Sequence, residues 1–411
     1  MNEEISKFKK LLSSIGQLHN IFNAYKDSAT PEGIKQGVIV LFSPYFNNKN
    51  ILERVAVNEL IPNAVEYTKL SQDKLFLELI RFSVDTHNRA KSINNDESIK
   101  ICAEWMAAIF DGLSVFWSQF NLEQDKSFLG LEEFTFECLR NIGGAIEGCF
   151  KPIAGELLHQ AKISIGETPK KEDIRALDLG MLVEELQKVS PNPDFFEIKD
   201  VRLNQWRNIA QHFSFVLDGN VVVCTYGRPG KQKEVRLTKE ELFEVTKKAI
   251  DVFSCLRLAN QLFFFDNIES INAFKLSLPH SKVRQEAIVL NLVSAIASQG
   301  FEVIEFIREP EQTKLSLKDV TNESSEVRKF YAVQLCDVLW FYFPADLITV
   351  DYYNRDGVPI FRSEVTKDIF ERIDRENLER TIVAEEADLT DLRMGQFLPG
   401  KSKQQGGRNI F

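Results

Sequence analysis

Three residues that could carry out chemistry on a phosphate lie close together in the chain: Arg207, Asn208 and His212. An imidazole can take or give a proton near neutral pH. A guanidinium can hold a phosphate oxygen and stabilise the extra charge of a five-coordinate transition state, while an amide can orient either partner. With a ribose 2′-hydroxyl as the nucleophile, this set could cut RNA without a metal ion. DNA lacks that hydroxyl, so the chemistry would select RNA.

The residues around this set have helical spacing. Polar positions recur at intervals of three and four and predict a separate polar face, formed by Asp200, Asn204, Arg207, Asn208 and Gln211. A wide apolar stripe is predicted from Ile198, Val201, Trp206, Ile209, Ala210 and Phe213. His212 follows Asn208 by four residues and shares its face. Arg207 and His212 are about 140° apart around an ideal helix, so they converge only if the arginine swings or the helix loosens at its end.

Spacing alone does not separate a catalytic pair from a solvated helix face with a histidine at its end. With the arginines and five histidines of this chain, about one Arg-x4–6-His match is expected by chance. Arg81 and His87 form such a match, which we interpret as a chance one.

The segment Arg-Asn-Ile-Ala-Gln-His resembles the R-N-x-x-x-H signature of HEPN domains (higher eukaryotes and prokaryotes nucleotide-binding), which are all-helical modules common in RNA-cleaving toxins and antiviral effectors. The helix around Leu179–Leu186, the hairpin after the motif and the long helix that follows also resemble the family. The resemblance covers roughly residues 125 to 266. Gln211 departs mildly from it, because many members have a small residue there.

The resemblance implies that Arg207 and His212 are the catalytic pair and that Asn208 supports both. It also implies a homodimer in which two motif helices face each other across one cleft, so that each histidine can work with the partner's arginine. Some HEPN domains are inert and serve only to dimerise or to bind nucleotides.

A second group of candidate residues is the basic segment after the hairpin turn. We predict that four of its residues contact RNA: Arg228, Lys231, Lys233 and Arg236. The net charge of −10 argues against a general nucleic-acid coat protein but allows a local basic cleft. The alternative is a loop that is basic by accident.

Composition limits the remaining classes of protein. Hydrophobic and charged fractions of 44% and 27% are those of a globular protein, and the sequence shows neither a signal peptide nor a membrane-spanning run. We therefore expect a cytoplasmic protein without membrane partners. Six scattered cysteines indicate core residues rather than a zinc site or disulfides, and we expect no metal or other cofactor.

The expected fold is mainly α, with four parts. They are an N-terminal helical domain over residues 1–122, a central HEPN-like helical bundle with a β-hairpin insertion over 123–266, a small C-terminal α+β domain over 267–395, and a disordered tail over 396–411. Asp351 and Glu364 on predicted C-terminal strands invite comparison with metal-dependent nucleases. The acid-x-lysine step of those enzymes is absent, because Val365 and Thr366 precede Lys367.

The leading hypothesis is a metal-independent RNA endonuclease that acts as a toxin or phage-defence effector, with RNA as substrate and an antitoxin or activator as a candidate partner. The alternative is a non-catalytic HEPN module for dimerisation or for nucleotide or RNA binding in a regulatory complex. A third hypothesis is a scaffold in which the N-terminal helices carry the function.

Overall fold

The computed structural model describes residues 17–27, 29–56, 59–120, 129–274, 285–376 and 387–391. The chain divides into two compact units, one formed by Met1–Ile34 with Val289–Phe411 and the other by Lys35–Ile288. This division does not follow the predicted domain boundaries, because the regions predicted as the N-terminal and central domains fall largely within one unit. The predicted tail over 396–411 lies outside the described residues.

The described chain is mostly helical, as predicted. The helices that precede the motif are α1 (Gln17–Lys26), α2 (Pro31–Phe42), α3 (Lys49–Val55), α4 (Ile61–Leu70), α5 (Lys74–Ile93), α6 (Asn95–Phe120), α7 (Leu131–Gly144), α8 (Lys151–Ser164), α9 (Lys171–Arg175) and α10 (Leu179–Val189). Short 3-10 turns cover Ser43–Tyr45 and Pro193–Phe196.

The motif segment contains two very short strands, one helix and a three-stranded sheet. These are β1 (Glu197–Ile198), β2 (Val201–Arg202), α11 (Leu203–His212), β3 (Phe215–Asp218), β4 (Val221–Tyr226) and β5 (Lys233–Leu237). They are followed by α12 (Lys239–Asp266) and α13 (Ile268–Ala273). The predicted capping box of the long helix is confirmed, because Thr238 and Glu241 each accept a hydrogen bond from the other's backbone N–H.

The larger unit has its core where α5, α8 and α12 pack together. Apolar residues at helical spacing on α5, among them Leu79, Ile80 and Val84, are buried in that core.

One long, kinked helical stretch carries much of the packing around the motif. The sequence predicts a single helix over Phe134–Ala161 with glycine interruptions, and the structure has α7, a π-helical turn over Ala145–Phe150, and α8 in direct succession. Two glycines allow close approach here. A Cβ on Gly143 would lie 3.2 Å from the Cβ of Ala210 on α11, and one on Gly112 of α6 would lie 2.7 Å from the carbonyl oxygen of Gly148.

The motif helix begins later than predicted, at Leu203. Ile198 and Val201 instead pair across the β1–β2 hairpin, whose two turn residues, Lys199 and Asp200, have φ of 53° and 57°. Asp200 is therefore not part of the polar helix face. The indole N–H of Trp206 donates to the Ile198 carbonyl over 3.0 Å, which anchors the hairpin against the helix.

The C-terminal part is an α+β structure, as predicted. Its elements are α14 (Gln285–Ser298), β6 (Phe301–Arg308), β7 (Gln312–Asp319), α15 (Ser325–Tyr342), β8 (Leu347–Tyr353), β9 (Pro359–Thr366), α16 (Lys367–Glu376) and β10 (Asp388–Asp391). The strand order is β10-β9-β8-β7-β6, and only β7 and β8, joined through α15, run parallel among these described strands. The first helix belongs to this unit, since the Tyr25 hydroxyl donates to the Ser298 carbonyl over 2.5 Å.

Candidate functional site

The motif helix α11 presents one face to the core and one to solvent. Trp206, Ile209 and Ala210 are buried, and the helix packs closely on α7. Arg207 and Asn208 are half-buried on the other side, and His212 is exposed. The predicted apolar stripe is therefore confirmed at Trp206, Ile209 and Ala210. It is wrong at Phe213, which follows the last helical residue and is 46% exposed.

Arg207 is held by a glutamate from the π-helical turn. Its Nε donates to Oε2 of Glu147 over 2.7 Å, and the exposed fractions of the two side chains are 22% and 34%. Its Nη1 donates to the Asn208 side-chain oxygen over 3.1 Å. The asparagine thus orients the arginine, one of the two roles considered for it from the sequence.

Lys151 completes this charged group. Its Nζ donates to Oε1 of Glu147 over 3.0 Å, so each carboxylate oxygen of Glu147 faces one cation. Burial alone would raise the pKa of Glu147, but the hydrogen bonds and charges of Lys151 and Arg207 lower it below its ordinary value. The site therefore contains a firmly ionised carboxylate between two positive charges.

His212 is the last residue of α11, and Phe213 ends the helix in the left-handed conformation with φ of 46°. In the described part of the chain, neither a hydrogen bond nor an ion pair joins Arg207 to His212. The two residues share one helix but are not in contact through their polar groups, in agreement with the angle expected from the sequence. His212 has the access to water that proton transfer with a substrate requires.

An apolar patch lies beside the histidine and is formed by the rings of Phe136, Phe213 and Phe215. The ring of Phe136 lies 5.1 Å from that of Phe213 and 5.2 Å from that of Phe215, measured between centroids. Phe213 is 46% exposed, and Val216 and Leu217 project from the edge strand β3. Phe213 adopts the left-handed conformation that commonly ends a helix, although this conformation is uncommon for a large aromatic residue.

The predicted RNA-contacting residues all lie on the surface. Arg228 and Lys231 are in the turn between β4 and β5, whereas Lys233 and Arg236 are on β5. Arg236 forms an ion pair with Asp218 across the sheet, so part of its charge is already matched. The turn is tied to the motif helix, because the Gly227 N–H donates to the side chain of Gln205 over 3.2 Å.

Two residues of the charged group, Glu147 and Lys151, are not apparent as site residues from the sequence. The only signal is their i,i+4 spacing, which is common on solvated helices. Their relation to Arg207 depends on packing between segments 60 residues apart.

The acidic residues that invited comparison with metal-dependent nucleases do not form a metal site. Asp351 accepts from Nε and Nη2 of Arg362 over 2.6 and 3.0 Å and lies 3.3 Å from the Lys314 ammonium. Glu364 pairs with Thr349 on the neighbouring strand rather than with Asp351. Over the described residues, no cluster of three or more acidic, histidine or cysteine side chains could hold a metal ion.

All six cysteines are buried, as expected of core residues. Among the described helices, none combines the length and the apolar character that crossing a membrane demands.

Comparisons with known proteins leave the chain without an assigned family. No protein-family model, no curated protein and no solved structure matches it. The function therefore has to be inferred from the residues of the site.

Proposed function

We propose that this protein is a metal-independent RNA endonuclease of the HEPN type that works as a homodimer. The observation that carries the proposal is the arrangement on α11. A water-accessible His212 ends the helix, and the guanidinium of Arg207 is held at the surface by Glu147 and Asn208. Both groups are accessible to a phosphodiester.

In the proposed reaction, His212 removes the proton from a ribose 2′-hydroxyl. The 2′-oxygen attacks the adjacent phosphorus, and the bond from phosphorus to the 5′-oxygen breaks. A second imidazole gives its proton to the leaving oxygen, so the products are a 2′,3′-cyclic phosphate and a 5′-hydroxyl. Arg207 stabilises the additional negative charge on the phosphate oxygens in the transition state.

Two observations support the participation of a second copy. Within one chain, no polar contact joins Arg207 and His212 over the described residues, so a partner's residues would complete the pair. The apolar patch beside His212 also exposes more large apolar surface than isolated hydrophobic residues do, and a two-fold interface brings one patch against itself. The proposed dimer would place two arginines and two histidines around one cleft.

The proposal is tested by incubating the purified protein with mixed cellular RNA in the presence of a metal chelator and mapping the ends of any fragments. We expect cleavage that leaves cyclic phosphates and that falls by about 10²- to 10⁴-fold in Arg207→Ala and His212→Ala. Arg81→Ala is the matched control, because Arg81 is an exposed arginine of the other Arg-His match and lies on α5. Equal cleavage by wild type and both motif variants would show that the activity is not that of this site.

Expression in cells provides a second test that needs no purified substrate. A toxin or defence effector should slow growth when it is produced, and the two motif variants should restore growth at equal protein levels. Growth arrest that persists in both variants would contradict the assignment to Arg207 and His212.

The apolar patch also favours a second candidate function, a non-catalytic HEPN module that dimerises or binds nucleotides or RNA in a regulatory complex. In that case the wild type leaves RNA intact and still dimerises, and replacing Phe213 with Ser abolishes the dimer. The cleavage assay separates this candidate from the first, and light scattering of wild type and Phe213→Ser shows whether the protein dimerises through the patch.

A further inference from the structure

The π-helical turn contains the glutamate that touches Arg207, and this contact suggests a role for a residue that the motif does not include. Glu147 occupies the Nε edge of the guanidinium, and Asn208 occupies one position on Nη1. Over the described residues, Nη2 has no hydrogen-bond partner. The two contacts therefore leave Nη2 and one N–H of Nη1 available to another acceptor, and the Arg207 side chain is 22% exposed.

A fixed guanidinium differs from a free one in what it can do for a transition state. An arginine side chain has several rotatable bonds, and ordering them costs free energy that a substrate would otherwise have to supply. Groups aimed in advance at the place where charge develops contribute most to rate. A carboxylate that holds Nε gives this orientation without occupying the end of the guanidinium that can bind two phosphate oxygens.

The local backbone explains why Glu147 reaches the arginine. It lies within the six-residue π-helical turn between α7 and α8, and such turns are uncommon and are frequently found at functional sites. The turn is packed against α6, where the absence of a side chain on Gly112 lets the Gly148 carbonyl approach. Close packing against α6 therefore holds the segment that carries Glu147.

The charge of Glu147 is maintained by its second neighbour. Lys151 faces Oε1 while Arg207 faces Oε2, so the carboxylate does not depend on the arginine alone for compensation. The pKa of Glu147 is lowered by these two cations against the opposing effect of burial, which keeps the group ionised throughout the neutral range.

We infer that Glu147 is a positioning residue of the active site, which fixes the guanidinium of Arg207 for binding the scissile phosphate of RNA. The inference rests on the proposed function and extends it to a residue outside the six-residue motif. A different role for the same contact would be inhibition, in which the carboxylate occupies the arginine in place of a phosphate and must be displaced before RNA can bind. The two roles predict opposite effects when the carboxylate is removed.

The kinetic test compares Glu147→Ala and Glu147→Gln with wild type in RNA cleavage, with kcat and KM measured separately. We expect Glu147→Ala to lower kcat by about 10- to 100-fold with KM changed less than threefold, because the lost orientation matters most in the transition state. Glu147→Gln retains an oxygen that can accept from Nε, so it should recover most of the lost rate. A faster Glu147→Ala variant, or one with wild-type kcat, overturns the inference.

Glu185→Ala is the matched control. Glu185 has a similar exposed fraction, 33%, and pairs with Lys188 over 2.7 Å, the same distance as in the Glu147–Arg207 pair. Its pKa is also lowered, first by the hydrogen bond from Lys188. Because it lies on α10, away from the contacts of Arg207, its loss should leave kcat unchanged. An equal fall of kcat in both variants would indicate a general loss of surface ion pairing and would overturn the assignment.

A spectroscopic measurement separates failure of this inference from failure of the proposed function. In ¹⁵N-edited spectra of arginine Nε–H groups, the signal missing from Arg207→Lys identifies Arg207. We expect that signal to exchange slowly with water in wild type and Glu185→Ala and rapidly in Glu147→Ala. Slow exchange in Glu147→Ala overturns the inference whatever the activity. A wild type that leaves every RNA intact, with the slow signal present, overturns the proposed function and with it the catalytic role of Glu147.

Discussion

The two Arg-x4–6-His matches of this chain have nearly the same sequence spacing and quite different surroundings. His87 on α5 is 1% exposed, and its Nδ1 and Nε2 lie 2.7 Å from the Ser83 carbonyl and 2.8 Å from Glu156. His212 on α11 is exposed to solvent. The first histidine is therefore closed off from solvent, and the second can be reached from it.

In both matches, a glutamate from the same kinked helical stretch contacts one member of the pair. Glu156 of α8 holds the histidine of the first match, and Glu147 of the π-helical turn holds the arginine of the second. Where the acid binds the imidazole in the core, both ring nitrogens are engaged and the group serves stability. Where it binds the guanidinium near the surface, the imidazole of His212 stays exposed to solvent. Spacing does not decide between these outcomes, but burial and the choice of partner do.

The largest expected effect concerns activity. Replacing His212 with Asn should lower RNA cleavage by about 10²- to 10⁴-fold, because an amide cannot transfer the proton. The folded structure should survive, since exposed substitutions typically change the free energy of unfolding by less than about 0.5 kcal/mol. Cleavage rates and denaturant unfolding on the same preparation check both statements. Retained cleavage would place the chemistry elsewhere.

For His87, in the buried match, we expect a large effect on the free energy of unfolding. His87→Ala leaves the Glu156 carboxylate in the core without its cation, and breaking a buried pair in this way costs about 3–5 kcal/mol. Urea unfolding of His87→Ala and of His212→Ala measures the contrast. A destabilisation below about 1 kcal/mol for His87→Ala would mean that the core pair contributes little.

The pH dependence of stability sharpens the same contrast. Burial alone would lower the pKa of His87, but the Glu156 carboxylate and the Ser83 carbonyl raise it above its ordinary value. A raised folded-state pKa means that the folded protein holds the proton more tightly. The resulting stability is complete below the unfolded pKa of about 6.5 and is lost as the pH rises through the folded pKa.

The difference in unfolding free energy between wild type and His87→Gln should therefore shrink as the pH is raised above about 6.5, by no more than about 1.4 kcal/mol per pH unit. Subtracting the variant removes the contribution of the titrating groups that do not interact with His87, whereas Glu156, whose pKa His87 lowers, is part of the measured difference. The measurement is urea unfolding at intervals from about pH 5.5 to 9. A difference that grows with pH would contradict this expectation.

The smallest effects are expected at the basic hairpin. Lys231→Ala and Arg228→Ala should each weaken RNA binding only a few-fold, independently of sequence, and reduce the salt dependence of binding by about one phosphate contact. Each variant is combined with His212→Asn, which removes cleavage, and RNA is titrated into it at several salt concentrations. These titrations give the affinity and its salt dependence. Lys35→Ala removes a positive charge from α2 and is the control for the loss of one charge outside the hairpin. The hairpin has no role in RNA binding if all three variants behave alike.

Much of the local structure was predictable because it depends on neighbours in the sequence. The Asp218-Gly219 turn, the capping box at Thr238 and the strands of the C-terminal sheet follow from backbone preferences and alternation, and the structure confirms them. The start of the motif helix was predicted too early, because Ile198 and Val201 also fit a helical stripe. Strand β10 was not predicted, and its residues pair with β9, which lies some twenty residues earlier in the chain.

The candidate site, too, could be predicted from the sequence only in part. Which side chains of α11 face outwards follows from the apolar stripe, and this much of the site could be predicted. The association of Glu147 with Arg207 could not, because 60 residues of sequence separate them. It requires both the π-helical turn and the close approach of α7 to α11 at Gly143.

By itself, the sequence determined the motif, its helix, the hairpin beside it and the apolar positions that form the core, because these depend on periodicity and turn chemistry over a few residues. The tertiary structure alone decided that His87 lies in the interior and that His212 is exposed to water. It also decided that residues 35–288 form one unit and which glutamate meets which cation. These outcomes depend on how the apolar faces of distant helices pack, and no short window of sequence contains that information.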